Sequence, residues 1–145
     1  MNNRYLYRAK RTDNGEWVEG FYCKWIKGKR LICYSEKEVD CIITWMSNGG
    51  MSRYEVDSST ICQCTGLKDK NGKLIWENDI VSFLDMYSTE NGYSERGCVG
   101  KVVWDDETIS FQVTNRLSAE SYEVLDECLV IGNIFDNQEL LEVGE

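Results

Sequence analysis

The residue types that could carry chemistry in this chain are few, and one is missing altogether. None of the 145 residues is histidine, which excludes Ser–His and Cys–His nucleophile pairs and an imidazole general base. Catalysis would have to rest on carboxylates, Lys, Tyr or a lone Cys activated by burial. Asp79, Asp105 and Asp106 are the carboxylates to consider. Asp105-Asp106-Glu107, however, falls where a hairpin through 104–108 must turn, and acidic residues at a turn need no catalysis to explain them. Seven cysteines include one close pair, Cys62-Gln63-Cys64. Residues two apart on a strand point to one face, so both thiols could meet a metal. A closed zinc site would need two more ligands from Cys23, Cys33, Cys41, Cys98 or Cys128, none of which belongs to a close pair. The pair reads better as small buried hydrophobes, and neither metal nor cofactor is expected. The densest group of cations is Lys24-Trp25-Ile26-Lys27-Gly28-Lys29-Arg30. Here Lys24, Lys27, Lys29 and Arg30 could meet backbone phosphates while Trp25 stacks a base. A hairpin tip is also commonly basic because it is solvated. These five residues are the candidate binding site.

Charge is spread unevenly around that cluster. Residues 1–73 hold 13 Lys and Arg against 9 Asp and Glu, a net of +4, whereas residues 74–145 hold 3 against 16, a net of −13. The basic half suits a polyanion and the acidic half a basic partner, but the whole-chain charge of −9 repels nucleic acid. A non-enzymatic module that binds a protein or self-associates as a homo-oligomer is therefore expected. Nucleic-acid binding through the basic N-terminal half is the first alternative, and a small carboxylate-dependent enzyme the second. No apolar run approaches the roughly 18–20 residues of a membrane helix. Met1-Asn2-Asn3-Arg4-Tyr5 lacks the apolar stretch of a secretory leader. The expected compartment is the cytoplasm, whose reducing conditions suit an odd number of cysteines, and no membrane partner is foreseen.

The elements that must position these residues read as short strands. The chain has no proline, so its turns depend on Gly and Asn, at Asp13-Asn14-Gly15, Lys27-Gly28-Lys29, Asn48-Gly49-Gly50, Asn71-Gly72 and Asn91-Gly92. Strand-like runs lie between them at 17–25, 30–34, 39–45, 60–64, 74–76, 80–84, 99–104, 109–114 and 129–135. Alternation is clearest in Thr108-Ile109-Ser110-Phe111-Gln112-Val113, where Ile, Phe and Val share a face. Residues 118–128 admit a short helix or a strand through Tyr122-Glu123-Val124. Asp136 or Asn137 can cap a helical turn over 138–142. Residues 86–97 read as a mobile polar excursion between strands. The pattern predicts a mainly β fold (β-rich α+β), a short-stranded antiparallel barrel or sandwich with a short C-terminal helix. Its two lobes would be an N-terminal hairpin lobe over 1–60 and a barrel-like lobe with the terminal helix over 61–145, or one continuous domain. The expected core is Trp17, Trp25, Ile43, Trp45, Leu67, Ile75, Trp76, Ile80, Val81, Val103, Trp104, Phe111, Ile131 and Ile134.

One stretch is more specific than any of these patterns. Gln63-Cys64-Thr65-Gly66-Leu67-Lys68-Asp69, followed by Gly72 and by Ile75-Trp76-Glu77-Asn78-Asp79-Ile80-Val81, resembles the central signature of the YopX family of phage and prophage proteins. The resemblance continues in "YRAKRTDNGEWVEGF" near the start, in "GKVVWDD", and in the closing "IGNIFDNQELLE". Three positions depart from the family pattern. Asn78 stands for a Gly and is the other residue that enters the left-handed region cheaply. Gln138 stands for a Pro, and Lys10 for an aromatic. The resemblance implies a phage- or prophage-encoded accessory protein with no agreed catalytic residues, so no site is carried over from it. Physically the signature reads as two corners, a hairpin turn at Asp69-Lys70-Asn71-Gly72-Lys73 and a tight turn at Asn78-Asp79. A calcium loop is excluded, because with Gly72 at its sixth position the twelfth is Asn78 instead of a carboxylate.

Overall fold

Short alternating runs between Gly and Asn turns become eleven strands in two antiparallel sheets, with no closed barrel among the described residues. The computed structural model describes residues 3–27, 37–114, 121–123 and 127–142. It divides into two compact units, Met1–Cys64 and Thr65–Glu145.

In the first unit β1 (Tyr7–Lys10), β2 (Trp17–Lys27), β3 (Lys37–Trp45) and β4 (Met51–Glu55) form a meander in the order β4-β3-β2-β1, with the start of β5 (Cys62–Lys68) beside β1. Strand β2 serves two partners. Its first residues pair with β1, from Lys10↔Trp17 to Tyr7↔Gly20, and the remainder pairs with β3, from Phe21↔Ile43 to Lys27↔Lys37. The handover occurs at Gly20, where a Cβ would lie 2.1 Å from the Ile43 carbonyl oxygen, so only glycine lets β3 close in. The core of this unit is Ala9, Ile42 and Val56, with Tyr7, Val18, Tyr22 and Ile61 packed around it. The turn of 3₁₀ helix at Ser58–Thr60 is capped by the Asp57 carboxylate, which accepts the Ser59 N–H at 3.0 Å.

The second unit continues β5 into β6 (Leu74–Trp76). It also holds β7 (Asp79–Thr89), β8 (Gly92–Asp105), β9 (Ser110–Thr114), β10 (Ser121–Glu123) and β11 (Leu129–Asn133) in the order β10-β9-β8-β7-β11, followed by α1 (Glu139–Glu142). Ile75, Val81, Val102, Val113 and Cys128 make its core, flanked by Phe83, Phe111 and Val130. The β7–β8 ladder is long, running from Ile80↔Lys101 to Thr89↔Gly92. Residues 86–97, expected as a polar excursion, are therefore mostly paired backbone; polar side chains suit a ribbon standing in water as well as they suit a loop. Tyr122 and Glu123 belong to a strand, as the second of the two readings has it; residues 115–120 and 124–126 lie outside the described residues, as does the run 30–34.

The expected core is corrected in part. Ile75, Trp76, Ile80 and Val81 are buried, but Trp25, Trp45, Leu67, Trp104 and Ile131 are exposed, with Trp45 at 65%. Alternation tells which side chains share a face, yet not which face is covered. Size misled: the interior is closed largely by small side chains, including Ala9, Cys41, Cys62, Cys64, Cys98 and Cys128. Ile109 does not join Phe111 and Val113 on a strand either, since it occupies the turn before β9 at a φ of 52° and is exposed.

Candidate functional site

The candidate cluster sits at the far end of β2. Opposed residues on antiparallel strands share a face, so the register Phe21↔Ile43↔Arg53, Cys23↔Cys41↔Glu55, Trp25↔Val39 and Trp45↔Met51 sets one face of the β2-β3-β4 sheet. Trp25 belongs to it. The Arg53 guanidinium lies 3.9 Å from the Trp25 ring centroid, a cation–π contact that leaves the indole half-exposed. Phe21, Trp45 and Met51 stand exposed on the same face, above Cys41, whose thiol pKa is pushed up by burial. Nearer β1, the cations of Arg8 and Lys10 flank the Trp17 ring at 4.7 and 5.4 Å.

Lys24 points the other way. It pairs with Asp40 in register and makes an ion pair with Glu38 at 3.8 Å, both side chains largely solvated. Such a pair contributes little. Behind it the Tyr22 hydroxyl donates to the Asp40 carboxylate, and that bond, with some burial, pushes the phenol pKa up to about 12. Lys27 ends the strand opposite Lys37, and Lys29 and Arg30 lie outside the described residues. The structure thus separates Lys24 from Trp25 and supplies Arg53, Phe21, Trp45 and Met51 in its place. Period-two spacing within Phe21-x-Cys23-x-Trp25 and Met51-x-Arg53 was visible in the sequence, but only strand register joins the two.

The signature residues form corners. Asp69 is buried and its carboxylate accepts three backbone N–H groups, from Asn71 at 2.9 Å, Lys73 at 2.9 Å and Val130 at 3.0 Å. Burial pushes its pKa up, and the three N–H bonds outweigh that and hold the carboxyl below its ordinary value. The turn is completed by Gly72 at a φ of 83°, whose N–H donates to the Asp69 carbonyl at 2.9 Å. Asn78 takes a φ of 69° at the second corner, where the buried Asp79 carboxylate accepts the Trp76 N–H at 2.8 Å. In the closing motif, Asn133 accepts the N–H groups of Phe135 and Asp136 at 3.0 and 2.9 Å and donates to the Asp136 carboxylate at 3.1 Å.

The other carboxylates also serve turns. Asp105 accepts the Thr108 hydroxyl at 2.8 Å and the Glu107 N–H at 3.0 Å, which lower its pKa, and Asp106 accepts the Trp104 indole N–H at 2.9 Å. Cys62 and Cys64 are fully buried, and among the described residues no three metal-ligating side chains converge. Nor is any helix among them long and apolar enough to cross a membrane.

Fold and surface together define a β-rich protein of two antiparallel sheets, whose buried Asp69, Asp79 and Asn133 hold corners and several of whose aromatic side chains, Trp25, Trp45 and Tyr93 among them, stand in solvent. The chain belongs to the YopX family: the family model described as YopX protein matches residues 6–142. Among curated proteins none matches the sequence. Among solved structures it is similar to the crystal structure of protein EF1440 from Enterococcus faecalis, with 28% identity over 93% of this chain and 96% of that one, at a TM-score of 0.45.

Proposed function

We propose that this chain is a phage- or prophage-encoded accessory protein of the cytoplasm that works without catalysis, as a β-rich module that engages protein and, first of all, further copies of itself. One observation carries the reading. Large apolar side chains stand in solvent in both units, Trp25, Trp45 and Met51 in the first and Leu84, Met86 and Tyr93 in the second, while the buried carboxylates of Asp69 and Asp79 accept backbone N–H groups. Exposed apolar clusters of this kind mark interaction surfaces. The separation of charge between the two halves of the sequence adds attraction between copies.

The stacked Arg53–Trp25 pair is the specific observation favouring nucleic acid instead, because a guanidinium over an indole offers a platform for a base. Sedimentation velocity over a range of protein concentration, at low and at high salt, separates the readings when run beside a titration with labelled single-stranded DNA. Self-association without DNA binding is the expected result. A chain that stays monomeric at every concentration and binds DNA with a steep salt dependence would reverse the order.

A further inference from the structure

Residues 84–89 of β7 and 92–97 of β8 pair with one another, and no third strand joins them among the described residues: β11 meets β7 only over 79–82, and β9 meets β8 only over 101–105. A two-stranded ribbon is marginal in water without a covered face. Register sets Leu84 across from Gly97, Met86 across from Glu95 and Ser88 across from Tyr93. Leu84, Met86 and Tyr93, which share a face by alternation, are 66%, 63% and 77% exposed. The opposite face starts from the core at Phe83 and continues with the Asp85–Arg96 ion pair at 2.8 Å and the Arg96 guanidinium over Tyr87.

Gly97 is a second, independent observation on that apolar face. Its φ is not in the left-handed region, and a Cβ there would meet no atom of the described residues within 4 Å. Gly100 differs, since a Cβ on it would strike the Thr114 carbonyl oxygen at 2.6 Å. Neither a turn nor a close approach among the described residues requires glycine at 97, and glycine weakens a strand. The space it leaves lies in a groove of about 440 Å³, bordered also by Ser82, Leu84, Val99, Lys70 and Glu127.

Resting on the self-association reading, we propose that this groove receives the arm of a second copy of the chain, the two arms lying antiparallel and face to face about a two-fold axis. Tyr93 near each tip enters the space over Gly97 beside the other's Leu84, and Met86 packs on Met86 between them. Glu90 at each tip comes to the partner copy's groove, where Lys70 offers it an opposite charge on a rim that Glu127 shares. Like against like in this way closes at two copies. The patch is small: three large side chains a copy bury well under the roughly 800 Å² per partner of a standard interface, and with Glu95 and Glu127 on or beside the contact the dimer is weak and reversible.

Sedimentation equilibrium on the full chain tests this. A concentration-dependent dimer is expected for the unaltered protein. Leu84→Glu and Tyr93→Glu should each weaken it by roughly tenfold or more. Gly97→Val should weaken it as much while leaving the melting temperature unchanged or raised, because the position is open in the single chain and valine suits a strand. Lys70→Glu should weaken the dimer, and adding Glu90→Lys should restore it. A dimer that survives all these replacements overturns the arm and leaves self-association standing. An unaltered protein that remains monomeric at its highest concentration overturns both. If Gly97→Val melts lower, glycine has a role within the chain, and a dimer retained in Leu84→Glu then overturns the proposal.

Discussion

Asp69 shows how much a single side chain of the signature holds. Its carboxylate ties the β5–β6 turn to the start of β11 through N–H bonds from Asn71, Lys73 and Val130. Asn in its place offers one acceptor oxygen for bonds that use two, so Asp69→Asn should cost about 2–3 kcal/mol, read as a lower midpoint in denaturant. The pH dependence follows from its lowered pKa. A carboxyl held below its unfolded value of about 3.9 contributes stability above that pH and loses it as the pH falls through the folded value. The unfolding curves of the two proteins should therefore differ at neutral pH and draw together at strongly acidic pH. Ile109 gives the opposite sign, because a β-branched residue at a φ of 52° is strained. Ile109→Gly or Ile109→Asn should raise stability by about 1 kcal/mol. Trp76→Ala, at a buried position, should cost about 3–5 kcal/mol. Trp104→Ala should cost only about 1–2 kcal/mol, since Trp104 is half-exposed and holds an edge contact with Phe111 at 5.1 Å and an exposed indole N–H bond to Asp106.

At the scale of elements, two of the three glycines of β8, Gly97 and Gly100, have different consequences. Gly100 lies where β9 crosses closely enough that a methyl group meets backbone, which cannot move aside as a flexible side chain can. Gly100→Ala should lower the melting temperature by several degrees, as an overpacking cost of about 1–3 kcal/mol does in a chain of this size. Gly97→Ala should not, and calorimetry of the pair checks the contrast. The tail is a second case. Asn137 donates its N–H to the Asn133 carbonyl at 2.9 Å, its carboxamide oxygen faces the Asn133 N–H, and α1 lies against β8. Removing residues 138–145 should lower the melting temperature by a few degrees, equivalent to about 1–2 kcal/mol. An unchanged melting curve would mean that α1 adds nothing to the sheet beneath it.

For the molecule as a whole, much of the architecture is legible in the sequence. Gly and Asn at Gly15, Gly49, Gly72 and Asn78 announced turns because those residues alone tolerate positive φ cheaply, and all four take it. The run 74–76 is β6 to the residue, the runs between turns placed β2 and β3, and alternation placed β9 from Ser110 onward. The two corners of the signature and the family were readable in Asp69, Gly72, Asn78 and Asp79, because these residues act on neighbours within a few positions. What acts at a distance was not. That Lys24 and Trp25 face opposite ways follows from simple alternation, but that Trp25 meets Arg53 depends on the pairing of β2 with β3 and of β3 with β4. Cys41 is buried and Trp45 exposed although they share a face, so burial depends on which neighbours cover each position along it, and the bond from Val130 to Asp69 spans 61 positions. The sequence by itself therefore determined strands, corners and family, since local backbone preference and side-chain period are properties of a few adjacent residues. Only the tertiary structure decided which aromatics stand in water and which small residues lie inside, because burial is set by register and packing between segments far apart in the chain.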